Sequence, residues 1–229
     1  MTAEGLLSYD AVRKRYFIGP EVFRFASTGA GADLRRLFRP ALESVAERTG
    51  LAGYLSVREG AEVICVDCVV GNAIVQIVPY TIGSRRPLGV GAAGLALLAM
   101  LADAEIEAVL RAQAQAKTRQ SLLPDRMRKI INESRRSGFV YNPGLFIRGV
   151  CGLGIPVSHP GAGLACLSVV GLQAQFASLA ERQKIAEILE TEVAGAGARL
   201  AWSPTRSIGS GVETTSDQKA LRLGALPAA

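Results

Sequence analysis

The sequence predicts an α+β fold in which helices cover one antiparallel sheet, and three observations carry that prediction. Apolar runs rich in β-branched residues recur between Gly, Asn and Pro punctuation, at Ala52–Arg58, Glu62–Val70, Val150–Val157 and Gly163–Gly171. Between them lie segments with the i, i+3, i+4, i+7 spacing of amphipathic helices, and strands and helices come in groups rather than in strict alternation. The chain of 229 residues is 49% hydrophobic. At that length a fold buries about 70% of its unfolded surface and needs no disulfide or metal to hold its core.

The elements follow in order. Leu6–Asp10 and Arg15–Gly19 read as a short hairpin with a basic tip, closed by Gly19-Pro20. Pro20 to Ala26 reads as a short helix, and Thr28-Gly-Ala-Gly-Ala32 as a break. Asp33 is placed to cap an amphipathic helix whose stripe is Leu34, Leu37, Phe38, Ala41, Leu42, Val45 and Ala46, ended by Thr49-Gly50. Strands at 52–58, 62–70 and 73–78 predict an antiparallel meander. Helices follow at 92–101 and 104–116, and a third starts at Pro124 and stops at Gly138. Strands at 139–141, 150–157 and 163–171 come next, the last two joined by Ser158-His-Pro-Gly-Ala162. A final helix runs from about Ala177 to Arg199, and the small, polar residues from Thr205 onward read as disordered.

Composition narrows the function. No apolar run approaches the ~20 residues of a membrane span, and no signal peptide is evident, so the expected location is the cytoplasm. Net charge is +6, with basic clusters at 13–15, 35–39, 85–86, 126–129 and 135–136, compatible with an acidic ligand or nucleic acid. Cys65-Val-Asp-Cys68 has zinc or redox spacing, but residues three apart in a strand point to opposite faces, so the two thiols are not expected to converge. With His159 the one histidine, no metal or other cofactor is expected.

The segment from Pro79 to Met100 is the most informative. Arg85-Arg86 and the glycines 89, 91 and 94 run into an apolar helix, leaving the backbone uncrowded near its first N–H groups. Those groups lack intrahelical partners and carry the positive end of the helix dipole, which favours a small anion such as a carboxylate. The pattern matches neither nucleotide-binding loop, having no G-x-G-x-x-G after a strand and no Gly-Lys-Ser/Thr.

Together these pieces resemble the IclR family (isocitrate lyase regulator type) of bacterial transcription factors. The resemblance rests on residues 34–50, Gly83-Ser-Arg-Arg-Pro-Leu88 with Ala92-Ala-Gly-Leu-Ala96, residues 130–141, Gly149–Val157 and Ala165–Gly171, in order and spacing. It implies a GAF-like effector-binding domain over 33–204, preceded by a remnant wing of a winged helix-turn-helix at 1–19 and a linker at 20–32, with a tail at 205–229. It also implies that this chain lacks the recognition helix, so that DNA is a partner only through a missing or truncated N-terminal domain. A small organic acid is the implied effector, and a homodimer or homotetramer the implied assembly, with Phe17, Phe23 and Phe25 as aromatics such contact would bury.

By matching positions, the resemblance implies effector contacts at Val75, Val78, Arg86, Ala92, Ala93, Asn142, Val150, Gly152, Ser168 and Val170. Ala92 and Ala93 would offer backbone N–H groups, Ser168 a hydroxyl, and the four valines apolar walls. One arginine of Arg85 and Arg86 is expected to face the pocket, with Arg86 preferred. Asn142 stands where relatives are frequently acidic, Gly152 where one subgroup has cysteine, and Val170 where a second serine occurs. These departures imply a larger or more apolar acid, aromatic or alkyl. The alternatives are a stand-alone small-molecule-binding module, or a thiol-dependent enzyme using Cys68, Cys151 or Cys166. No acid–base partner for such a thiol is evident, so no catalysis is expected.

Overall fold

A computed structural model describes residues 2, 4–26, 30–115, 124–159, 163–196 and 199–200. The chain opens with a two-stranded hairpin, β1 (Leu7–Asp10) and β2 (Arg15–Ile18), in the register Leu7↔Ile18 to Asp10↔Arg15. Asp10 shapes its tip by accepting hydrogen bonds from the Val12 and Arg13 N–H groups at 2.9 and 3.0 Å. Helix α1 (Glu21–Ala26) follows, then α2 (Ala30–Thr49). Helix α2 begins three residues before Asp33, which therefore lies inside the first turn rather than capping it, and the expected boundary between 32 and 33 falls within the helix. Gly50, at φ 72°, ends α2 as expected, its N–H bonded to Ala46 O.

The main sheet is antiparallel throughout, with β5 (Arg85–Pro87), β4 (Glu62–Val69), β3 (Ala52–Glu59), β8 (Gly163–Leu172), β7 (Val150–His159) and β6 (Val140–Asn142) side by side. A short β9 (Arg199–Leu200) pairs with β7. One face packs against α2 and α6 (Leu179–Gly195), burying Phe38, Leu42, Leu55, Leu153, Leu167, Val169 and Leu189 together. The other face receives α3 (Gly91–Ala99), backed by α4 (Asp103–Gln115) and α5 (Pro124–Ser137). Arg128 ties these last two helices together through a two-pronged pair with Glu107, 2.7 Å to each oxygen. A 3₁₀ turn (Gln173–Phe176) leads from β8 to α6, whose N-cap Ser178 and Glu181 form a reciprocal capping box. Helix α6 ends at Gly195, four residues short of the expected Arg199. The expected disordered tail lies outside the described residues.

Two expectations fail in β4 and beyond it. The pairing with β3 passes from Leu55↔Asp67 to Ser56↔Cys65, so Val66 is an extra residue, a β-bulge. That one insertion shifts the alternation, and Cys65 and Cys68 come to lie opposite Ser56 and Tyr54 on the same face. The thiols therefore share a side of the sheet instead of pointing apart. Among the described residues no cluster suited to a metal ion forms, and all four cysteines are free. Asp67 is sent to the opposite face, where it is fully buried and ion-paired with Arg35 and Arg39 of α2 at 3.3 and 3.2 Å.

The third meander strand, expected at 73–78, is not formed. After Val69 the chain leaves the sheet edge and crosses the α3-side face as an irregular strap up to β5. It is tied down by Ala73 N and Gln76 Nε2 bonding to Gly50 O, and by Gly83 N bonding to Cys65 O. Ile77 and Tyr80 turn inward onto the cluster of Ala52, Tyr54, Cys65 and Val170, so the segment's apolar residues are satisfied on the face of the sheet rather than along its edge.

Candidate functional site

Glycine brings α3 close enough to the sheet to make a site. Gly152 and Gly154 of β7 lie beneath Ala92, and a Cβ on Gly154 would stand 3.3 Å from the Ala92 carbonyl and 3.1 Å from Cys166 Sγ. Gly89 and Gly91 both have positive φ (91° and 76°), and a Cβ on Gly94 would press on Gly89 N at 3.0 Å. These positions form the sharp turn into α3. Its N-cap is Val90, which has no side-chain oxygen, so the first-turn N–H groups of Gly91, Ala92 and Ala93 have no side-chain cap.

That helix end opens on a cleft of about 80 Å³. Six expected residues line it: Arg86, Ala92, Asn142, Val150, Gly152 and Val170. Four do not. Val75 and Val78, expected as apolar walls, are 54% and 43% exposed, because the strap turns Ile77 and Tyr80 inward in their place. Ala93 faces a smaller neighbouring cavity of about 20 Å³. Ser168 is wholly buried beneath the cleft.

Sequence reasoning missed Tyr80 and Pro79 of the strap, and Phe146 and Ile147 of the loop that follows β6, all of which line the cleft. A signal for the second pair existed in Asn142-Pro-Gly144. Asn142 Oδ1 accepts the Leu145 N–H at 3.1 Å and folds that loop back over the site. No signal in the sequence marked Tyr80 as facing in.

The two arginines point to different places. Arg85 points outward to Glu59 and Glu62, at 2.6 and 2.8 Å. Arg86 lies on the cleft wall, donates to Pro79 O at 2.9 Å and stands 5.2 Å from the centre of the Tyr80 ring. Among the described residues no carboxylate pairs with Arg86, so the wall keeps its positive charge. Apolar groups (Val90, Val150, Val170, Phe146, Ile147) supply most of the remaining lining. The arrangement suits a small molecule with one acidic end and an apolar body.

Thiol chemistry finds little support here. Burial pushes the Cys65 thiol up to about 12 and raises Cys166 as well, so both stay protonated near neutrality. Cys151 turns its sulfur to the far side of the sheet, where it accepts a hydrogen bond from Tyr141 at 3.4 Å.

Comparison with known proteins decides the family. The profile of the domain described as "Bacterial transcriptional regulator IclR C-terminal" matches residues 27–195. The chain belongs to the IclR family. It is similar to the HTH-type transcriptional regulator KipR of Bacillus subtilis, 28% identical over 177 residues that cover 75% of this chain and 70% of KipR. It is 31% identical over 122 residues to the HTH-type transcriptional regulator TtgV of Pseudomonas putida, covering 53% of this chain and 47% of TtgV. An IclR homologue from Microbacterium hydrocarbonoxydans, solved in complex with 4-hydroxybenzoate, shares the fold with a TM-score of 0.67 at 22% identity, over 85% of this chain and 82% of that one. The α+β, GAF-like fold is therefore that of IclR effector-binding domains, and transcription regulation is the business of the family. These relatives are regulators rather than enzymes. No helix among the described residues is long and apolar enough to cross a membrane.

Proposed function

We propose that this chain is the ligand-sensing part of an IclR-type regulator, and that the cleft at the start of α3 takes a small organic acid whose binding controls transcription. One observation carries the reading: uncapped N–H groups of α3 open into an apolar cleft whose one cationic side chain, Arg86, has no acidic partner among the described residues. A carboxylate against Ala92 N–H gives a partner to donors that lack a side-chain cap and sits at the positive end of the helix dipole. The body of the ligand then lies against Val150, Val170, Phe146 and Ile147. Gly152 and Val170 give space and apolar surface, and Asn142 adds no charge, which favours an aromatic or alkyl acid over a two-carbon one. The bound 4-hydroxybenzoate of the Microbacterium homologue is an acid of this class.

Control of transcription requires that the acid prefer one of two arrangements of the whole regulator. The hairpin β1–β2 is read as the last strands of a wing, and the working form as a homodimer or homotetramer. The test is calorimetry of the chain with benzoate and with benzamide, which share a shape but not a charge. Benzoate is expected to bind at least about tenfold more tightly, in line with a helix-terminus and guanidinium contribution of ~1–2 kcal/mol. Equal binding of the two, or binding of benzamide alone, would contradict the reading.

A further inference from the structure

We propose that the protein carries a second small-molecule site, in the groove between α5 and α6, and that this groove takes an apolar α-amino acid in its zwitterionic form. The site is separate from the acid cleft and does not depend on the acid-binding reading.

The groove runs beside β6, with residues of α5 on one wall and of α6 on the other. Its volume is about 240 Å³, against about 80 Å³ for the cleft at the start of α3. Phe139 and Tyr141 of β6 face into it, and Leu179, which is 62% exposed, borders it. The short strand β6 divides the two sites, because Tyr141 lines the groove and the next residue, Asn142, lines the cleft.

The two walls differ in hydrogen-bonding character. On the α6 wall, Arg182 donates from Nε to Phe176 O at 2.8 Å and from Nη2 to Ala177 O at 3.2 Å. Those bonds hold its guanidinium 4.1 Å from the centre of the Tyr141 ring. The donors that remain still span both terminal nitrogens, the geometry of a two-pronged grip on a carboxylate. Among the described residues no carboxylate pairs with Arg182. The adjacent Glu181 is committed to Ser178, accepting from its N–H at 2.8 Å and its hydroxyl at 3.0 Å.

On the α5 wall, Ser134 Oγ donates to Ile130 O at 2.6 Å and Ser137 Oγ to Phe139 O at 2.9 Å. With their hydrogens spent on the backbone, both oxygens have only lone pairs to offer. Glu133 lies on the same wall and meets Lys129 at 3.9 Å, an exposed pair that holds it weakly. One wall therefore supplies acceptors and a negative charge, and the other supplies donors and a positive charge. Phe139 and Leu179 add apolar surface. An ammonium, a carboxylate and an apolar body together match this lining. A plain acid would leave Glu133 facing an anion, and a plain amine would leave Arg182 facing a cation.

The test is calorimetry of the whole chain with L-leucine and L-phenylalanine. Phenylalanine is expected to bind at least about tenfold more tightly than phenylalaninamide, which lacks the carboxylate, or N-acetylphenylalanine, which lacks the ammonium. Arg182→Gln and Glu133→Gln should each weaken phenylalanine by a similar factor while leaving benzoate affinity unchanged. Arg182 also holds the turn before α6, so Leu179→Glu serves as a further variant. At that exposed position, one helical turn from Arg182, the new carboxylate competes for the guanidinium, and the same loss is expected. Failure of both amino acids to bind, equal binding of phenylalanine and its two derivatives, or binding that survives all three substitutions overturns the site. Benzoate binding to the unaltered chain judges the acid cleft separately, so either reading can fail alone.

Discussion

The two faces of β3, β8 and β7 are equally buried and chemically opposite. Toward α2 and α6 they present Leu55, Leu153, Leu167 and Val169, each with no exposed surface. Toward α3 they present Tyr54, Cys166 and Ser168, buried just as fully, together with Gly152 and Gly154. Because alternate residues of one strand point to opposite faces, a single strand serves both purposes at once. One side is filled to hold the fold. The other gives up packing and hydrogen bonding to keep a cavity open. Burial alone therefore does not distinguish core from site; satisfied apolar packing does.

Neighbouring residues on β8 offer the sharpest way to break this contrast. Leu167→Ala removes a side chain from the middle of the α2–α6 core and is expected to cost about 2–5 kcal/mol in urea unfolding. Next comes Gly154→Ala, whose new methyl has to displace Ala92 or Cys166. A loss of ~1–3 kcal/mol is expected, together with weakened benzoate binding as the start of α3 lifts away. If Gly154→Ala left both unchanged, close approach of α3 to β7 would not be what shapes the cleft.

A pH scan separates the faces without mutation. Burial raises the pKa of Cys65, Cys166, Tyr54 and Tyr80, all on the α3 side. The unfolded chain releases these protons from the ordinary thiol value of 9.0 upward, whereas the folded chain holds the Cys65 proton to about 12. Stability from this source is complete below about pH 9 and falls as pH rises above it. Thermal melts at pH 8 and pH 10 should show the loss, and a flat profile would contradict the buried, protonated cluster. The smallest effect is expected from Ser168→Ala. Among the described residues its hydroxyl has no hydrogen-bond partner, so stability should stay within about 0.5 kcal/mol or rise slightly. A loss above 2 kcal/mol would mean that Ser168 is a satisfied structural residue, and the contrast between the faces would fail.

Much of this was legible in the sequence because period alone encodes it. The stripe of α2 from Leu34 to Ala46 and the pairing of 150–159 with 163–172 follow directly from apolar spacing. The turn into α3 was legible from glycines 89, 91 and 94. What escaped depended on partners distant in sequence. The bulge at Val66 leaves no local mark, since Val63, Cys65 and Asp67 alternate as an unbroken strand would, yet it reverses the side on which Cys68 appears. The strap has the composition of a strand, but Ile77 and Tyr80 find their apolar partners across the sheet face, which takes Val75 and Val78 out of the site and puts Tyr80 into it. Asp33 was misplaced as a cap because α2 runs back through Gly31 to Ala30, a stretch whose glycines read as a break.

The most direct test of the central claim is a crystal structure of the chain soaked with 4-hydroxybenzoate. The account predicts the carboxylate within hydrogen-bonding distance of Ala92 or Ala93 N–H and beside the Arg86 guanidinium, with the ring between Val150 and Val170. A carboxylate bound elsewhere, with the start of α3 still uncapped, would contradict it.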